Sequence, residues 1–386
     1  MDQNGHIFHV GISGSYGGFN LGDEAILEVI MAELRRSLPV EITVFSRDPQ
    51  DTLARHRVER AVPVRELARG EVLPEIERLD LLILGGGGIL YDAEVNLYLR
   101  EVVLAQERKV PVLVYAVGAG PLQDPAAQRL TRTCLNRAEA VTVRERRARQ
   151  VLEEVGVQRA IEITADPALL LQAQPLPPDA LKREGLDTQH CLVGVSVREP
   201  GAAAPNLDER HYHALLANAA DYMVDRFDAD LVFVPMERRV FDPQHCHAVI
   251  SQMAYAQRAT VLKGDYSPGQ MLTMIGHFAF AVGMRLHFLM FAALQRVPFV
   301  ALPYASKVTG FLDALEMPMP PLQLVKAGQL IAHIDRWWDR RSELQARIDK
   351  VLPSLQERAS ETNRLAVRLL LERTADRETI LSKIAT

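Results

Sequence analysis

The sequence predicts an α/β protein with two Rossmann-like, doubly wound domains and a cleft between them. The chain has 386 residues, which is the length of two ordinary domains. In the first half, apolar runs alternate with helix patterns, as in a parallel sheet covered by helices. The same layout restarts at residues 192–197, after a proline-rich linker. We therefore predict an N-terminal domain over residues 1–172, a second domain over 190–330 and C-terminal helices over 331–386.

Short apolar runs that end in glycine, proline or polar residues define the predicted strands. Strands that are buried on both faces are typically continuous apolar runs. Helix patterns such as residues 25–38 and 211–227 separate these runs. The predicted strands are residues 6–12, 41–45, 79–84, 112–117, 140–143, 161–164, 192–197, 230–235, 260–262, 278–282 and 300–302.

The composition indicates a soluble globular protein, with 48% hydrophobic and 24% charged residues. The net charge of −5 argues against a nucleic-acid-binding protein, because no excess of basic residues is present. The three cysteines are far apart and favour a reducing cytoplasm. No apolar stretch approaches the roughly 18 residues of a membrane span, and the pattern of the first residues does not predict a signal peptide. We expect a cytoplasmic protein whose contact with the inner face of the membrane can only be peripheral.

A glycine-rich turn within residues 13–25 joins the first strand to the first helix. It lacks the GxGxxG pattern of dinucleotide-binding domains, so a nicotinamide cofactor is not expected. Gly17 and Gly18 allow a ligand to approach the backbone closely. Polar residues at the helix entrance either contact that ligand or only cap the helix. These residues are Asn20, Asp23 and Glu24.

Four consecutive glycines follow the third predicted strand, at residues 85–88, and Asp92 comes shortly after them. Each glycine loses much conformational entropy on folding, so four in a row need a reason. Gly86 and Gly87 either hold bare backbone against a phosphate or a sugar, or allow two chain segments to cross closely.

In the second half, residues 283–287 place Arg285 and His287 after a predicted strand and at the start of an apolar helix. Ligands of open α/β sheets bind at the carboxyl ends of strands, and a helix N-terminus favours an anion. The alternative is that both side chains only cap the helix. Arg198 and Lys307 also follow predicted strands and would add positive charge.

The two halves therefore differ in charge at their predicted strand ends. Cations in the second half and carboxylates in the first suggest an anionic donor and an uncharged, hydroxylated acceptor. Arginine suits phosphate and carboxylate because its guanidinium binds them through two parallel hydrogen bonds. No Walker lysine, paired aspartates of a magnesium site or zinc-type His/Cys set is present, so we expect a metal-free transfer reaction.

Together these motifs resemble those of the polysaccharide pyruvyl transferases. The resemblance is greatest to the type that adds ketal pyruvate to secondary cell-wall polymers, which anchor S-layers. It covers about residues 11 to 310, and the motifs are specific only in combination. The matching segments are residues 16–25, 85–87 with Asp92, 164–167, 195–198, 283–287, 303–304 and 307–308.

The resemblance implies a GT-B-like fold and phosphoenolpyruvate as the co-substrate, with no other cofactor. In the family, an Arg-Leu-His segment holds the donor and supplies the proposed acid. These roles carry over to Arg285, Leu286 and His287, and an arginine at the position of Arg198 also contacts the donor. The implied acceptor is a sugar such as ManNAc in a cell-wall or exopolysaccharide precursor, lipid-linked at the membrane. A homo-oligomer is compatible with this prediction, and the sequence leaves the oligomeric state open.

Three positions depart from the family pattern. Gly88 stands where relatives often have serine, and Tyr91 where glutamine is frequent. Residues 305–306 are Ala-Ser, where Asp-Pro commonly precedes the lysine. The donor residues are unaffected, and the departures bear on the identity of the acceptor.

The charges and the resemblance predict the same chemistry. Arg198, Arg285 and Lys307 would bind the phosphate and carboxylate of phosphoenolpyruvate, and His287 would protonate its methylene carbon. The acceptor sugar would lie in the first half, where a carboxylate takes the hydroxyl proton. The sequence does not decide whether Asp23 or Asp92 is this base. The predicted acceptor contacts are Gly17, Gly18, Asn20, Glu24, Gly86 and Gly87.

Two rival functions remain at this point. A GT-B nucleotide-sugar glycosyltransferase would need a Glu or Asp in the second half for the base and ribose, and no clear motif supplies one. A non-catalytic carbohydrate-binding protein would be expected to lose a cation or His287, yet all are present.

Overall fold

The computed structural model of the chain divides into two compact units, each built on one parallel sheet. The first unit contains residues 1–18, 23–170 and 355–386, and the second contains residues 19–22 and 171–354. Two parallel sheets with alternating helices confirm the predicted α/β class. The structure describes residues 6–64, 67–199, 208–238, 241–317 and 319–384.

The strands of the first unit are β1 (Phe8–Ser13), β2 (Val40–Ser46), β3 (Arg60–Pro63), β4 (Leu81–Leu90), β5 (Val112–Ala119), β6 (Ala140–Val143) and β7 (Ile161–Ile163). They pair in the order β3-β2-β1-β4-β5-β6-β7. The direction of winding reverses between β1 and β4. The carboxyl ends of these two strands therefore flank the position where open α/β sheets bind ligands.

Two strands of this sheet differ from the sequence prediction. β3 was not predicted because Val62 is the one buried residue in this short strand. β4 was predicted to end at residue 84, but it continues through the four glycines. Gly85 pairs with Tyr115 and Gly87 pairs with Val117 of β5. The glycines are therefore part of a strand rather than a turn.

The helices of the first unit pack their apolar sides on the sheet. α2 and α5 begin at Asp48 and Asp124, whose carboxylates accept hydrogen bonds from backbone amides of the first turn. In both helices a proline follows, which is preorganised for the first helical position. The helices are α1 (Leu21–Ser37), α2 (Pro49–Arg55), α3 (Arg69–Glu77), α4 (Val95–Glu107), α5 (Pro125–Asn136) and α6 (Arg146–Glu154).

The strands of the second unit are β8 (Cys191–Ser196), β9 (Ala229–Phe233), β10 (Ala259–Val261), β11 (Phe280–Gly283) and β12 (Phe299–Ala301). They pair in the order β10-β9-β8-β11-β12, so the winding reverses between β8 and β11. Each of these strands coincides with a predicted strand to within two residues at either end.

The helices that follow in the chain are α7 (Ala180–Arg183), α8 (Glu209–Phe227), α9 (Phe241–Ile250), α10 (Pro268–Ile275), α11 (Leu286–Leu294), α12 (Ser306–Ala314), α13 (Ala327–Asp339) and α14 (Arg341–Ile384). α11 lies almost entirely in the core, with Phe288 and Phe291 fully buried. Its continuous apolar sequence is explained by this burial.

The segment predicted as a linker packs on the second unit through Glu184. This buried carboxylate accepts hydrogen bonds from the amides of Lys263 (2.9 Å) and Gly264 (2.7 Å). It also accepts one from the hydroxyl of Tyr266 (2.8 Å). Buried carboxylates need such partners. Through them, Glu184 attaches the predicted linker to the loop that follows β10.

The C-terminal helices, which the sequence placed in a segment of their own, are divided between the units. Residues 341–354 of α14 belong to the second unit, where Asp349 pairs with Arg296 at 2.7 Å. From residue 355 the helix belongs to the first unit, where the hydroxyl of Thr362 donates to Thr164 at 2.9 Å.

Candidate active site

The cations predicted to bind the donor come together where the winding of the second sheet reverses. β8 and β11 are hydrogen-bonded neighbours at this position. Arg198 lies two residues beyond the end of β8, and Arg285 lies two residues beyond the end of β11. Both side chains are thus placed where the fold favours ligand binding.

Tyr304 lies at the centre of this group. Nη1 of Arg198 donates a 2.7 Å hydrogen bond to the Tyr304 hydroxyl, and the guanidinium lies 4.8 Å from the ring centroid. Nζ of Lys307 lies 5.7 Å from the same centroid. Tyr304 is only 5% exposed. Its ring therefore holds two cations by hydrogen-bond and cation–π contact. Tyr304 was part of a family motif in the sequence but had no predicted role.

The positive charge around Tyr304 also changes the pKa of its hydroxyl. Burial alone would raise the pKa of Tyr304, but Lys307, Arg198 and Arg285 lower it to about 8. Nearby cations favour the ionised hydroxyl in this way because they stabilise negative charge. The same field would stabilise an anionic ligand.

Arg285 is held by a buried carboxylate of the same unit. Its Nε donates to Oδ2 of Asp242 at 2.8 Å, and its Nη2 donates to Oδ1. The Asp242 side chain is 0% exposed and also accepts from the amides of Met236 (3.1 Å) and Glu237 (3.0 Å). Burial alone would lower the pKa of Arg285, but Asp242 raises it above its usual value. The guanidinium is therefore fixed in place, and part of its charge is balanced by Asp242.

Leu286 and His287 form the first turn of α11, as predicted. The Leu286 side chain is buried, so any contact of this residue with a donor would involve its backbone amide at the helix N-terminus. A Cβ on Gly22 would lie 1.8 Å from Nδ1 of His287, so the imidazole packs directly on the Gly22 backbone. No other residue type fits at position 22 without moving the histidine.

Residues 19–22 belong to the second unit, and backbone hydrogen bonds hold this segment. The amide of Leu21 donates to the carbonyl of Met236 at 2.8 Å. Oδ1 of Asn20 accepts from the amide of Gly22 at 3.0 Å. Asn20, which was predicted to contact the acceptor, thus shapes the turn against which His287 packs. This is the capping alternative that the sequence had left open.

In the first unit, Glu24 and Gly17 are joined inside the protein. Oε1 of Glu24 accepts from the amide of Gly17 at 2.9 Å, and Oε2 lies 2.8 Å from Nε2 of His56. Glu24 and Gly17 are buried. The geometry gives both residues an internal structural role. Gly18 differs, because it packs beside Arg47 and is partly exposed.

Gly86 and Gly87 lie close to α1, which supports the alternative of a close chain crossing. Both residues are buried and have positive φ angles of 42° and 81°. A Cβ on Gly86 would lie 2.2 Å from Cγ2 of Ile26, and one on Gly87 would lie 3.3 Å from Oδ1 of Asp23. The contact between strand and helix needs glycine here, and a bound sugar is not required to explain it.

The two candidate bases lie in different surroundings. Both carboxylate oxygens of Asp92 accept from the amide of Gln123 (2.9 Å), and Oδ1 also accepts from Asp124 (3.0 Å). Asp92 therefore organises the loop before α5. Asp23 lies in the first turn of α1 and close enough to Arg47 to raise the pKa of that guanidinium. Asp92 is thus engaged in holding a loop, whereas Asp23 lies beside the glycines of β4.

The sequence profile of the polysaccharide pyruvyl transferases matches residues 20–306. The chain belongs to this family. The transferase therefore moves pyruvyl groups in polysaccharide biosynthesis, as the sequence motifs predicted. No sequence among the curated proteins matches the chain.

Solved structures with similar folds include MnaA of S. aureus with UDP, at a TM-score of 0.62 and 11% identity over 90% of this chain and 91% of that one. A putative UDP-N-acetylglucosamine 2-epimerase from Listeria monocytogenes aligns at 0.62 and 12%, covering 93% and 94%. HepE of Anabaena with UDP-glucose aligns at 0.60 and 14%, covering 95% and 99%. At such identities the likeness shows the fold alone, and it confirms the predicted GT-B-like fold of the transferase.

One polar cluster of the transferase was missed by sequence reasoning. It consists of side chains that follow β1, β2 and β4 in the first unit. Its members are Ser15, Arg47, Tyr91, Glu94 and Tyr98. The departure from the family pattern at Tyr91 was the one signal that pointed to this place.

Among the described residues of the transferase, no helix is both long and apolar enough to cross a membrane.

Proposed function

We propose that the protein transfers an enolpyruvate-derived group from phosphoenolpyruvate to a sugar and releases phosphate. The product is a cyclic pyruvate ketal on a cell-wall or exopolysaccharide precursor. We further propose ManNAc on a lipid-linked carrier as the acceptor, used by a protein that works at the inner face of the membrane. Both details rest on the resemblance to the transferases of secondary cell-wall polymers.

The observation that carries the proposal is the group of cations around Tyr304. Phosphoenolpyruvate has a phosphate and a carboxylate, and each needs positively charged hydrogen-bond donors. Arg198 and Lys307 lie against the Tyr304 ring, and Arg285 contributes to the same field. This arrangement supports binding of a small molecule with two anionic groups.

The proposed reaction begins when the imidazolium of His287 protonates the methylene carbon of phosphoenolpyruvate. A sugar hydroxyl adds to the neighbouring carbon, and Asp23 takes its proton. The C–O bond to phosphate then breaks, and a second hydroxyl of the same sugar adds to the carbon. One of the two hydroxyl protons replaces the proton that His287 gave to the methylene carbon, and the other leaves with phosphate. No oxidant or reductant is required.

The test is phosphate release from phosphoenolpyruvate in the presence of a panel of glycosides, with the product examined by NMR for a new ketal methyl group. We expect release that depends on the acceptor and equals the ketal formed. The same panel is incubated with UDP-sugars as a control. Release of UDP with no use of phosphoenolpyruvate would replace the proposal with the nucleotide-sugar glycosyltransferase.

A further inference from the structure

We propose that the acceptor sugar binds where the winding of the first sheet reverses, in a subsite built by Ser15, Arg47, Tyr91, Glu94 and Tyr98. This inference rests on the proposed function, because it assigns one substrate of that reaction to particular side chains. It moves the acceptor away from the glycines and from Glu24, which the sequence had favoured.

The position of these side chains in the fold favours a ligand-binding site. β2, β1 and β4 are neighbours in the sheet, and the winding reverses between β1 and β4. Ser15 follows β1, Arg47 follows β2 and Tyr91 follows β4. These residues therefore share the carboxyl edge at the place where open α/β sheets bind ligands.

A hydrogen-bond network joins these side chains. Nη2 of Arg47 donates to Oγ of Ser15 at 3.1 Å and to Oε2 of Glu94 at 3.4 Å, and it contacts the hydroxyl of Tyr98. The Tyr98 hydroxyl donates to Oε2 of Glu94 at 2.9 Å. A connected network of this kind holds its members in one geometry before a ligand arrives.

The network is partly exposed and contains a hydrogen-bond donor with no partner in the part of the chain that the structure describes. The side chains of Arg47 and Glu94 are 28% and 29% exposed. The buried Nε of Arg47 has no hydrogen-bond partner among the described residues. A buried donor without a partner is unfavourable, and a hydroxyl oxygen of a ligand would satisfy it.

The protonation and charge balance of the network indicate the kind of ligand that it suits. Burial, Tyr98 and Glu94 raise the pKa of Tyr91, and burial raises the pKa of Tyr98 to about 12. Both hydroxyls thus stay protonated near neutral pH. The Tyr98 proton is donated to Glu94, so the oxygens of the network are left to accept hydrogen bonds from a ligand. The charge of Arg47 is balanced by Glu94 and by nearby Asp23, so no excess positive charge is left for phosphoenolpyruvate.

Paired donors and acceptors beside a partly exposed tyrosine ring suit a neutral pyranose, whose hydroxyls also both donate and accept. Oδ1 of Asp23 would lie 3.3 Å from a Cβ on Gly87 of β4, and Asp23 raises the pKa of Arg47, so this carboxylate lies near the subsite. A sugar held there would have a hydroxyl near the proposed base.

The test compares the wild-type protein with Tyr91→Phe, Glu94→Gln and the control Glu75→Gln. Glu75 is a matched control because, like Glu94, it pairs with an arginine of the same unit, Arg60, at 2.6 Å. Arg60 is the first residue of β3, so it lies away from the carboxyl edge that holds the subsite. Binding of methyl glycosides of mannose, galactose, GlcNAc and ManNAc is followed by saturation-transfer NMR without phosphoenolpyruvate. Acceptor and donor KM values are then measured from phosphate release.

We expect Glu94→Gln to weaken glycoside binding and raise the acceptor KM by about tenfold or more, as loss of a charged hydrogen bond should. Tyr91→Phe, a milder change that keeps the ring, should raise the acceptor KM by roughly threefold to tenfold. The donor KM should stay within about twofold in both variants, and Glu75→Gln should match wild type.

Glycoside binding that is unchanged in folded Tyr91→Phe and Glu94→Gln would overturn the subsite. So would a wild-type protein that binds none of the four glycosides. Failure of the proposed function has a different signature, because phosphoenolpyruvate would then release no phosphate while glycoside binding still responded to Glu94→Gln.

Discussion

The five strands of the second sheet have the same order as β3-β2-β1-β4-β5 of the first, yet the side chains at the two points of reversed winding differ in charge. In the first unit, Arg47 is balanced by Glu94 and surrounded by protonated hydroxyls. In the second, Arg198 and Lys307 surround Tyr304 and lower its pKa to about 8. The fold thus supplies two equivalent positions for ligands, and the few residues after each strand decide which ligand each position suits.

The same comparison separates two uses of arginine. Arg144 of the first unit donates to Asp166 at 2.7 Å and is buried, so it joins two strand ends inside the protein. Arg285 of the second unit also pairs with a buried carboxylate, but it still contributes to the field at Tyr304. An arginine after a strand can therefore be structural, functional or both, and only its partners distinguish these cases.

The largest expected effect comes from His287→Ala, which would remove the proposed acid of the second unit. Turnover should fall by ~100-fold or more, while phosphoenolpyruvate affinity stays within about tenfold. His277→Ala is the matched control. This exposed histidine lies before the amino end of β11, whereas His287 follows the carboxyl end of the same strand. Single-turnover phosphate release measures the effect. Near-normal turnover of His287→Ala would remove this residue from the mechanism.

Arg285→Lys should show that the pairing with Asp242 is needed for donor binding. Lysine keeps the charge but loses the two parallel hydrogen bonds, so donor affinity should fall by ~1–3 kcal/mol. Melting temperature should fall as well, because Asp242 is fully buried. Arg258→Lys, which alters the partly exposed pair with Asp230, serves as control. A variant that melts early but binds phosphoenolpyruvate normally would make Arg285 purely structural.

Tyr304 predicts a pH dependence that belongs to the second unit alone. Its pKa lies near 8, below the ordinary value of 10, so the hydroxyl ionises as pH rises through 8. The new negative charge among the cations should oppose the anionic donor and raise its KM by roughly tenfold between pH 7 and 9. In Tyr304→Phe the donor KM should stay flat over this range. A steep rise in that variant would assign the titration to another group.

The smallest effects should distinguish the two aspartates of the first unit. Asp92→Asn should lower the free energy of unfolding by ~1 kcal/mol and leave acceptor-dependent phosphate release intact, because Asp92 binds backbone amides. Asp23→Asn should impair turnover and leave donor binding unchanged. Thermal melts and phosphate-release assays are run on both variants. Normal melting with lost acceptor use in Asp92→Asn would reverse this assignment.

Much of the fold could be predicted because local patterns determine it. The strands of the second sheet are continuous apolar runs, and their predicted positions agree closely with the structure. β3 was missed because a short strand with one buried residue has almost no apolar signal. β4 was cut short because glycine is normally unfavourable inside strands, and the close approach of Ile26 that justifies Gly86 is a tertiary contact.

Prediction of the candidate site from sequence is limited in the same way. From sequence alone, Arg198, Arg285, His287 and Lys307 could be assigned to the ends of strands and starts of helices, since that follows from local pattern and strand order. Their partners were decided by tertiary structure. Tyr304 is 106 residues from Arg198, and Asp242 is 43 residues from Arg285. Charge balance and burial depend on such distant contacts, so sequence determined which groups are present, while folding decided which of them are neutralised and which can meet a ligand.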